Sequence, residues 1–230
     1  MKKEHFSQDL KRKILTLKLA PGATLNEISL SKEYDISRTP LREIFQRLAG
    51  EGYIEIINNR GAIVSPMDYK NVRNLFITAP MIYSSISRLA TEDENATREQ
   101  LSELQDVQDS FRKAVKQQQL DSIVLHNDRF HRLIGKMANN PYLQLSYERL
   151  LIDHTRINQT FYRATDADMT ANLEQEVDQH EAMIEYLAIG DVERMVALTQ
   201  DHWNLSKAHM GRYMCPNPLP VDNNRIRFTD

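Results

Sequence analysis

Ile36-Ser37-Arg38-Thr39-Pro40-Leu41-Arg42-Glu43-Ile44-Phe45-Gln46-Arg47-Leu48 is the stretch on which the fold turns. Ser37 is a good N-cap, its hydroxyl suited to accept an orphan amide proton of the first turn, and Pro40 falls where a missing N–H does no harm. A helix is expected to start here. Beyond the cap, Leu41, Ile44, Phe45 and Leu48 recur at i, i+3, i+4 and i+7, while Arg38, Arg42 and Gln46 recur in steps of four around the other side. One face is built for burial. The other presents guanidinium, which pairs bidentately with phosphate oxygens or with guanine O6 and N7, and Thr39 beside it can donate to phosphate or touch a thymine methyl. Such a face suits a major groove, although these residues alone also suit an ordinary amphipathic helix with a solvated basic side.

The flanks favour the groove reader. Upstream, Phe6, Leu10, Ile14 and Leu17 mark one helical face, and Ala20-Pro21-Gly22 carries helix stop signals. Thr24 followed by Glu27 reads as a capping box opening a second helix, with Leu30 and Tyr34 inward and Asp35 in the turn before the third. Downstream of Gly50-Glu51-Gly52, the segment Tyr53-Ile54-Glu55-Ile56-Ile57 is β-prone, Asn58-Asn59-Arg60-Gly61 supplies turn residues, and Ala62-Ile63-Val64 returns as a strand. Three helices and a two-stranded ribbon, with the third helix basic on its free side, describe a winged helix-turn-helix.

At 230 residues the chain exceeds a typical single domain. The expected division is a winged helix-turn-helix over 1–66, a linker at 67–69, an all-helical part over 70–214 and a tail over 215–230, with Ser65-Pro66-Met67-Asp68 the stretch where the first part gives way to the second. Hydrophobic content of 41% and charge of 27% describe an ordinary globular protein. Net charge is −3 but unevenly placed: residues 1–66 hold 11 basic against 8 acidic side chains, and the rest holds 18 against 24. The N-terminal part is therefore the candidate polyanion binder. No apolar run reaches the roughly 18 residues of a membrane span, the N-terminus lacks the apolar stretch of a signal peptide, and the single Cys215 has no internal disulfide partner; a cytoplasmic protein is expected.

These residues also carry a resemblance. Pro21-Gly22, Leu25-Asn26-Glu27, Ser37-Arg38-Thr39-Pro40-Leu41-Arg42-Glu43, Leu48, Glu51-Gly52 and Arg60-Gly61-Ala62-x-Val64 are similar to the DNA-binding domain of GntR-family transcription regulators. The resemblance implies that Arg38, Thr39, Pro40 and Arg42 lie at the operator-facing start of the recognition helix, and that the wing glycine, here Gly61, lets the backbone approach the minor groove. Arg47 and Arg60 are then phosphate partners.

After the linker no strand pattern appears. Helices are expected at about 69–91, 97–117, 120–138, 141–163, 168–189 and 191–213, an antiparallel bundle of six to seven helices that makes the whole chain mostly α. Leu101, Leu104, Phe111 and Val115 stripe the second of these, and Asn139-Asn140-Pro141 breaks the third from the fourth. Gly190-Asp191 is the turn between the last two, with His180 10 residues before Gly190 and His202 11 after Asp191. Equal distances from a hairpin turn mean equal heights, roughly 15 Å, so the two imidazoles can face each other.

A third helix offers Asn127-Asp128-Arg129-Phe130-His131, with Asn127 and Asp128 within one turn of His131. Three histidines with a carboxamide or carboxylate oxygen would suit Zn²⁺ or Ni²⁺ with positions open for an exogenous carboxylate. Histidines on bundle helices are also often hydrogen-bonded core or surface residues, and His5, His126, His154 and His209 are read that way. Phe130-His131, His180 before Gly190-Asp191 and Met195, and His202 are similar to the helical effector domain called FCD, found in one large GntR subfamily. The resemblance implies Asn127, His131, His180 and His202 as the metal set, a homodimer on a palindromic operator, and usually repression.

Two positions depart from that pattern. Asn127 stands where the family has an Asp, with Asp128 as the alternative ligand; Ala79 and Tyr83 stand where the first bundle helix usually carries Arg and Glu, with Pro80 between them expected to bend the helix. Arg156 is then the candidate cation for a small carboxylate effector. The competing class is a metal-dependent enzyme tethered to a DNA-binding domain, against which stands the lack of a recognisable general base, nucleophile motif or phosphate-binding glycine loop.

Overall fold

A computed structural model describes residues 2–57, 61–92, 96–163 and 167–214. Arg60 in the wing turn and the tail from Cys215 onward lie outside the described residues.

Helix α1 (Lys2–Leu15) and helix α3 (Arg38–Glu51) cross and bury Phe6, Leu10 and Ile14 against Leu41, Phe45 and Leu48. The apolar stripe expected of the 36–48 stretch is thus the face that anchors α3. Ser37 is its N-cap, though its side chain makes no capping hydrogen bond. Helix α2 (Glu27–Glu33) is capped by Asn26, whose side chain accepts from the Ser29 amide, and not by Thr24. Thr24 is instead in strand β1 (Thr24–Leu25), which pairs antiparallel with β3 (Gly61–Val64), itself paired with β2 (Ile54–Ile57). The wing is therefore a three-stranded sheet of order β1-β3-β2, one strand more than the expected ribbon. A two-residue strand has too few positions to show alternation, so only its partner reveals it. Leu30 and Tyr34 are only partly buried, and α2 has no buried residue.

Among the described residues six helices follow: α4 (Tyr69–Thr91), α5 (Arg98–Lys116), α6 (Leu120–Ala138), α7 (Pro141–Phe161), α8 (Ala167–Ile189) and α9 (Val192–Met214). Their starts are written locally. The Asp68 side chain accepts from the Asn71 amide, Thr97 and Gln100 form a reciprocal capping box, and Asn140 accepts from the Tyr142 and Leu143 amides ahead of Pro141 at the first turn. Helix α4 runs on through Pro80 as one element. Ile86, Leu104, Phe111, Phe130, Leu151 and Met195 fill the core between these helices.

The two cores meet along α7 and α6. Ile152 of α7 is buried in the N-terminal core, Arg149 donates to the Gly52 carbonyl, Arg156 Nη2 donates to the Ser65 carbonyl at 2.6 Å, and Arg132 reaches the Tyr53 hydroxyl at 3.3 Å. Gly52 closes α3 in the left-handed region at φ 94°, and a Cβ there would run into the Arg149 side chain. Gly52→Ala is expected to cost about 1–2 kcal/mol from the left-handed backbone alone, read as a lower denaturant midpoint, and to release Arg149 from its carbonyl.

Candidate nucleic-acid interface and metal centre

Arg38, Thr39, Arg42 and Arg47 are exposed along α3, and Pro40 is partly so. Arg38, Arg42 and Gln46 line a cleft of about 640 Å³ whose other walls are Asn26, Glu27 and Ile28 of the α2 start and Ile56 and Gly61 of the wing. Arg42 is not a free cation: its Nε donates to Glu27 at 3.0 Å. That bond uses the inner edge of the guanidinium and leaves the terminal nitrogens, which are the pair that meets guanine O6 and N7 end-on. Arg47 differs again, donating to Ser7 Oγ at 2.9 Å, so it is half committed to α1. Gly61 takes φ 85°, a left-handed value that favours glycine at this wing position. Glu27, missed as a partner of Arg42, lies 15 residues away on another helix, where spacing within α3 says nothing of it.

The bundle holds the second cluster. One ligating atom each from His131 on α6, His180 on α8 and His202 on α9 lie within 4.8 Å of one another, all three residues buried. The hairpin at Gly190 does bring His180 and His202 to equal height, with ring centroids 4.9 Å apart. His180 Nδ1 lies 3.1 Å from Gln108 Oε1 and His202 Nδ1 lies 2.8 Å from Gln179 Oε1. An amide oxygen can only accept, so each Nδ1 carries the proton and each Nε2 keeps its lone pair free. His131 Nε2, His180 Nε2 and the Asn127 Oδ1 one turn before His131 are buried without a hydrogen-bond partner among the described residues. Buried lone pairs without donors cost free energy unless something electropositive meets them. A divalent cation fits that donor set.

Burial also keeps these rings neutral: it holds the His131 and His180 imidazoles well below their ordinary value, with the neighbouring histidines adding to the effect, and brings His202 down to about 4. Neutral imidazole is the form that ligates. Asp128 does not stand in for the missing family Asp. Its Oδ1 accepts from Thr155 at 2.9 Å and its Oδ2 pairs with Arg132 at 2.7 Å, which leads on to Tyr53 of the N-terminal core.

His154 is held on both sides, by the Tyr83 hydroxyl at 2.9 Å from Nδ1 and by Ser206 Oγ at 3.0 Å from Nε2. It keeps the hydrogen-bonded core role read from the sequence. Tyr83 also sets its ring edge against His131, with centroids 5.7 Å apart, so an aromatic side chain packs beside the cluster from α4. Arg156 is fully buried, with Nη1 on Asp153 at 3.0 Å and Nη2 on the Ser65 carbonyl. Both terminal nitrogens are thus turned to the linker and to its own helix.

Comparison with known proteins gives two family matches: residues 2–64 match the bacterial regulatory proteins of the gntR family, and residues 82–205 match the FCD domain. The chain is 32% identical over 130 residues to the HTH-type transcriptional repressor RspR of Escherichia coli (strain K12), a match that covers 56% of each chain, so it spans about half the length of that relative. It is 22% identical over 192 residues to the gluconate operon transcriptional repressor of Bacillus licheniformis, covering 82% of this chain and 76% of that one. Among solved structures, E. coli McbR/YncC superposes with a TM-score of 0.76 at 21% identity over 93% of this chain and 99% of that one. At that identity the likeness speaks for the fold alone.

Proposed function

The chain belongs to the GntR family of regulatory proteins, in the branch with an FCD domain, and we propose that it is a homodimeric repressor whose hold on a palindromic operator is set by a small carboxylate metabolite. DNA-binding transcription regulation follows from that membership; the sign, the effector and the metal are this reading's own. Repression is supported by two relatives that bear the name repressor. The observation that carries the DNA side is the outward row of Arg38, Arg42 and Gln46 on a helix whose opposite face is locked into a core. Two copies related by a two-fold axis would place one such helix in each of two major grooves, with Thr39 and Pro40 at the helix start, Gly61 at the minor groove, and Arg47 and Arg60 on phosphates. Ile77 and Met81, four residues apart and mostly exposed on α4, are the apolar face for the second copy.

In the bundle, His131, His180, His202 and Asn127 would hold Zn²⁺ or Ni²⁺, and the metal would supply the charge that a carboxylate effector meets. Arg156, expected from the sequence as that cation, is already engaged by Asp153 and Ser65. Control of affinity then requires that the effector bind more tightly to one arrangement of the two N-terminal domains than to the other. No helix among the described residues is long and apolar enough to cross a membrane, which suits the cytoplasmic location proposed here.

Selection from a library of genomic fragments, followed by binding measurements on the enriched site, tests the DNA side. Arg42→Ala should lose specific binding by about 1–3 kcal/mol per contacted base pair and relax the choice of base, while the bundle stays folded. Arg47→Ala should weaken all sequences alike and reduce the salt slope by about 1. Unchanged operator affinity in Arg42→Ala would remove the major-groove assignment.

A further inference from the structure

A second cavity lies at the end of the bundle, away from the histidines. It has a volume of about 190 Å³ and is walled by Val115 at the end of α5, Leu120 and Ile123 at the start of α6, Leu173 of α8, and Tyr162 and Arg163 after α7. We propose that it is a binding site for a small aryl or compact alkyl monocarboxylate, independent of the metal cluster.

The size argues for one ring. An apolar cavity of about 150 Å³ accepts benzene and stays dry otherwise, so this volume takes a six-membered ring with room for a linking atom. The lining argues for an apolar body. Val115, Leu120, Ile123 and Leu173 are aliphatic and Met169 is apolar, with Gln118 and Thr170 the uncharged polar members of the wall, and the hydroxyl of Tyr162 is already given to Glu176 at 2.6 Å, so Tyr162 contributes its ring. The rim argues for an anionic head. Arg163 is exposed where it borders the cavity, and among the described residues no carboxylate pairs with it. A guanidinium fork beside an apolar hole is the arrangement that takes a carboxylate whose hydrocarbon is buried.

The place in the fold gives such an occupant a lever. Asp121, between Leu120 and Ile123, pairs with Lys18 of the N-terminal part at 2.6 Å and accepts from Gln159 at 3.0 Å. A ligand seated on the first turn of α6 therefore bears on a contact that reaches the DNA-binding part.

Benzoate titrated into the full-length protein, followed by calorimetry and by saturation-transfer NMR, provides the test, with benzyl alcohol as the uncharged counterpart. With metal removed by chelator, so that the histidine cluster offers a carboxylate no cation, saturable benzoate binding at one site per chain is expected, at least ten-fold tighter than benzyl alcohol. Arg163→Ala, a change at an exposed position, should weaken benzoate at least ten-fold and leave benzyl alcohol unchanged. Val115→Phe, which fills the cavity, should abolish both. His202→Ala should leave benzoate binding as it is, which separates this site from the metal cluster. Absence of saturable binding, binding that survives both Arg163→Ala and Val115→Phe, or binding lost with His202→Ala would each overturn the proposal.

Discussion

Zinc added to chelator-treated protein is expected to raise the unfolding temperature of the bundle by about 8–16 °C. The magnitude follows from linkage. A ligand that binds only the native state stabilises it by about 4 kcal/mol at a thousand times its dissociation constant, and for a chain of this size 1 kcal/mol moves the midpoint by about 2–4 °C. The physical source of the gain is specific. Among the described residues, His180 Nε2 and Asn127 Oδ1 are buried acceptors without donors and His131 Nε2 is buried without a partner, so the metal-free state already carries their cost, and the cation removes it. His180→Ala should leave no zinc-dependent shift. Asn127→Asp should have opposite effects in the two states: lower stability without metal, because a carboxylate is then buried where the Asn127 Oδ1 has no hydrogen-bond partner among the described residues, and a larger shift with metal, because a charged oxygen replaces a neutral one. An equal shift in wild type and His180→Ala would show that zinc binds elsewhere.

The helices were legible because their information is local. The breakers read at Pro141 and Gly190 lie within a turn of the ends they define, as do the caps that the structure shows at Asp68 and Thr97, and the structure places the helix ends within two residues of the expected ones for α4 to α9. The stripe on α3 was legible for the same reason. What could not be read were pairings set by tertiary packing. Thr24 looked like a cap and is a strand residue because Ile63 lies opposite it. Gln108 and Gln179, which orient two of the clustered histidines, are 72 and 23 residues from their partners.

Histidine proximity itself was partly legible. Distance from a hairpin turn fixes height, so His180 and His202 could be matched across Gly190, whereas the approach of His131 depends on how α6 packs. Arg156 shows the reverse case. A lone arginine on a bundle helix reads as a ligand for an anion, and only the fold shows it bound to the Ser65 carbonyl. The family resemblance pointed to Arg42 on α3 but could not show that Glu27 already holds it.

Glu176→Gln should stabilise the protein by up to about 3 kcal/mol at pH 8 and change little at pH 4, since each pH unit by which a folded-state pKa departs from its unfolded value is worth about 1.4 kcal/mol. Glu176 is 2% exposed, on α8 one turn before His180, and receives the Tyr162 hydroxyl at 2.6 Å. Burial pushes its carboxyl up from 4.5 to about 7, and the Tyr162 hydrogen bond only partly opposes this. The folded state therefore keeps a proton that the unfolded state gives up. Its stability contribution is complete below pH 4.5 and is lost as pH rises through about 7. The histidines run the other way: His202 is lowered to about 4 and His154 to about 3, so their contribution is complete above 6.5 and is lost as pH falls from there. The two trends overlap between pH 4.5 and 6.5, and a wild-type profile alone would hide both. The difference between wild type and Glu176→Gln cancels the histidines, because the amide keeps the acceptor for Tyr162 and has no proton to lose. Urea unfolding in chelator from about pH 4 to about pH 8 should show the two curves parting above pH 4.5 and running parallel above about 7. Curves that stay parallel throughout would mean that Glu176 is ionised in the native bundle at the same pH as in the unfolded chain, and that a counter-charge or water reaches it there.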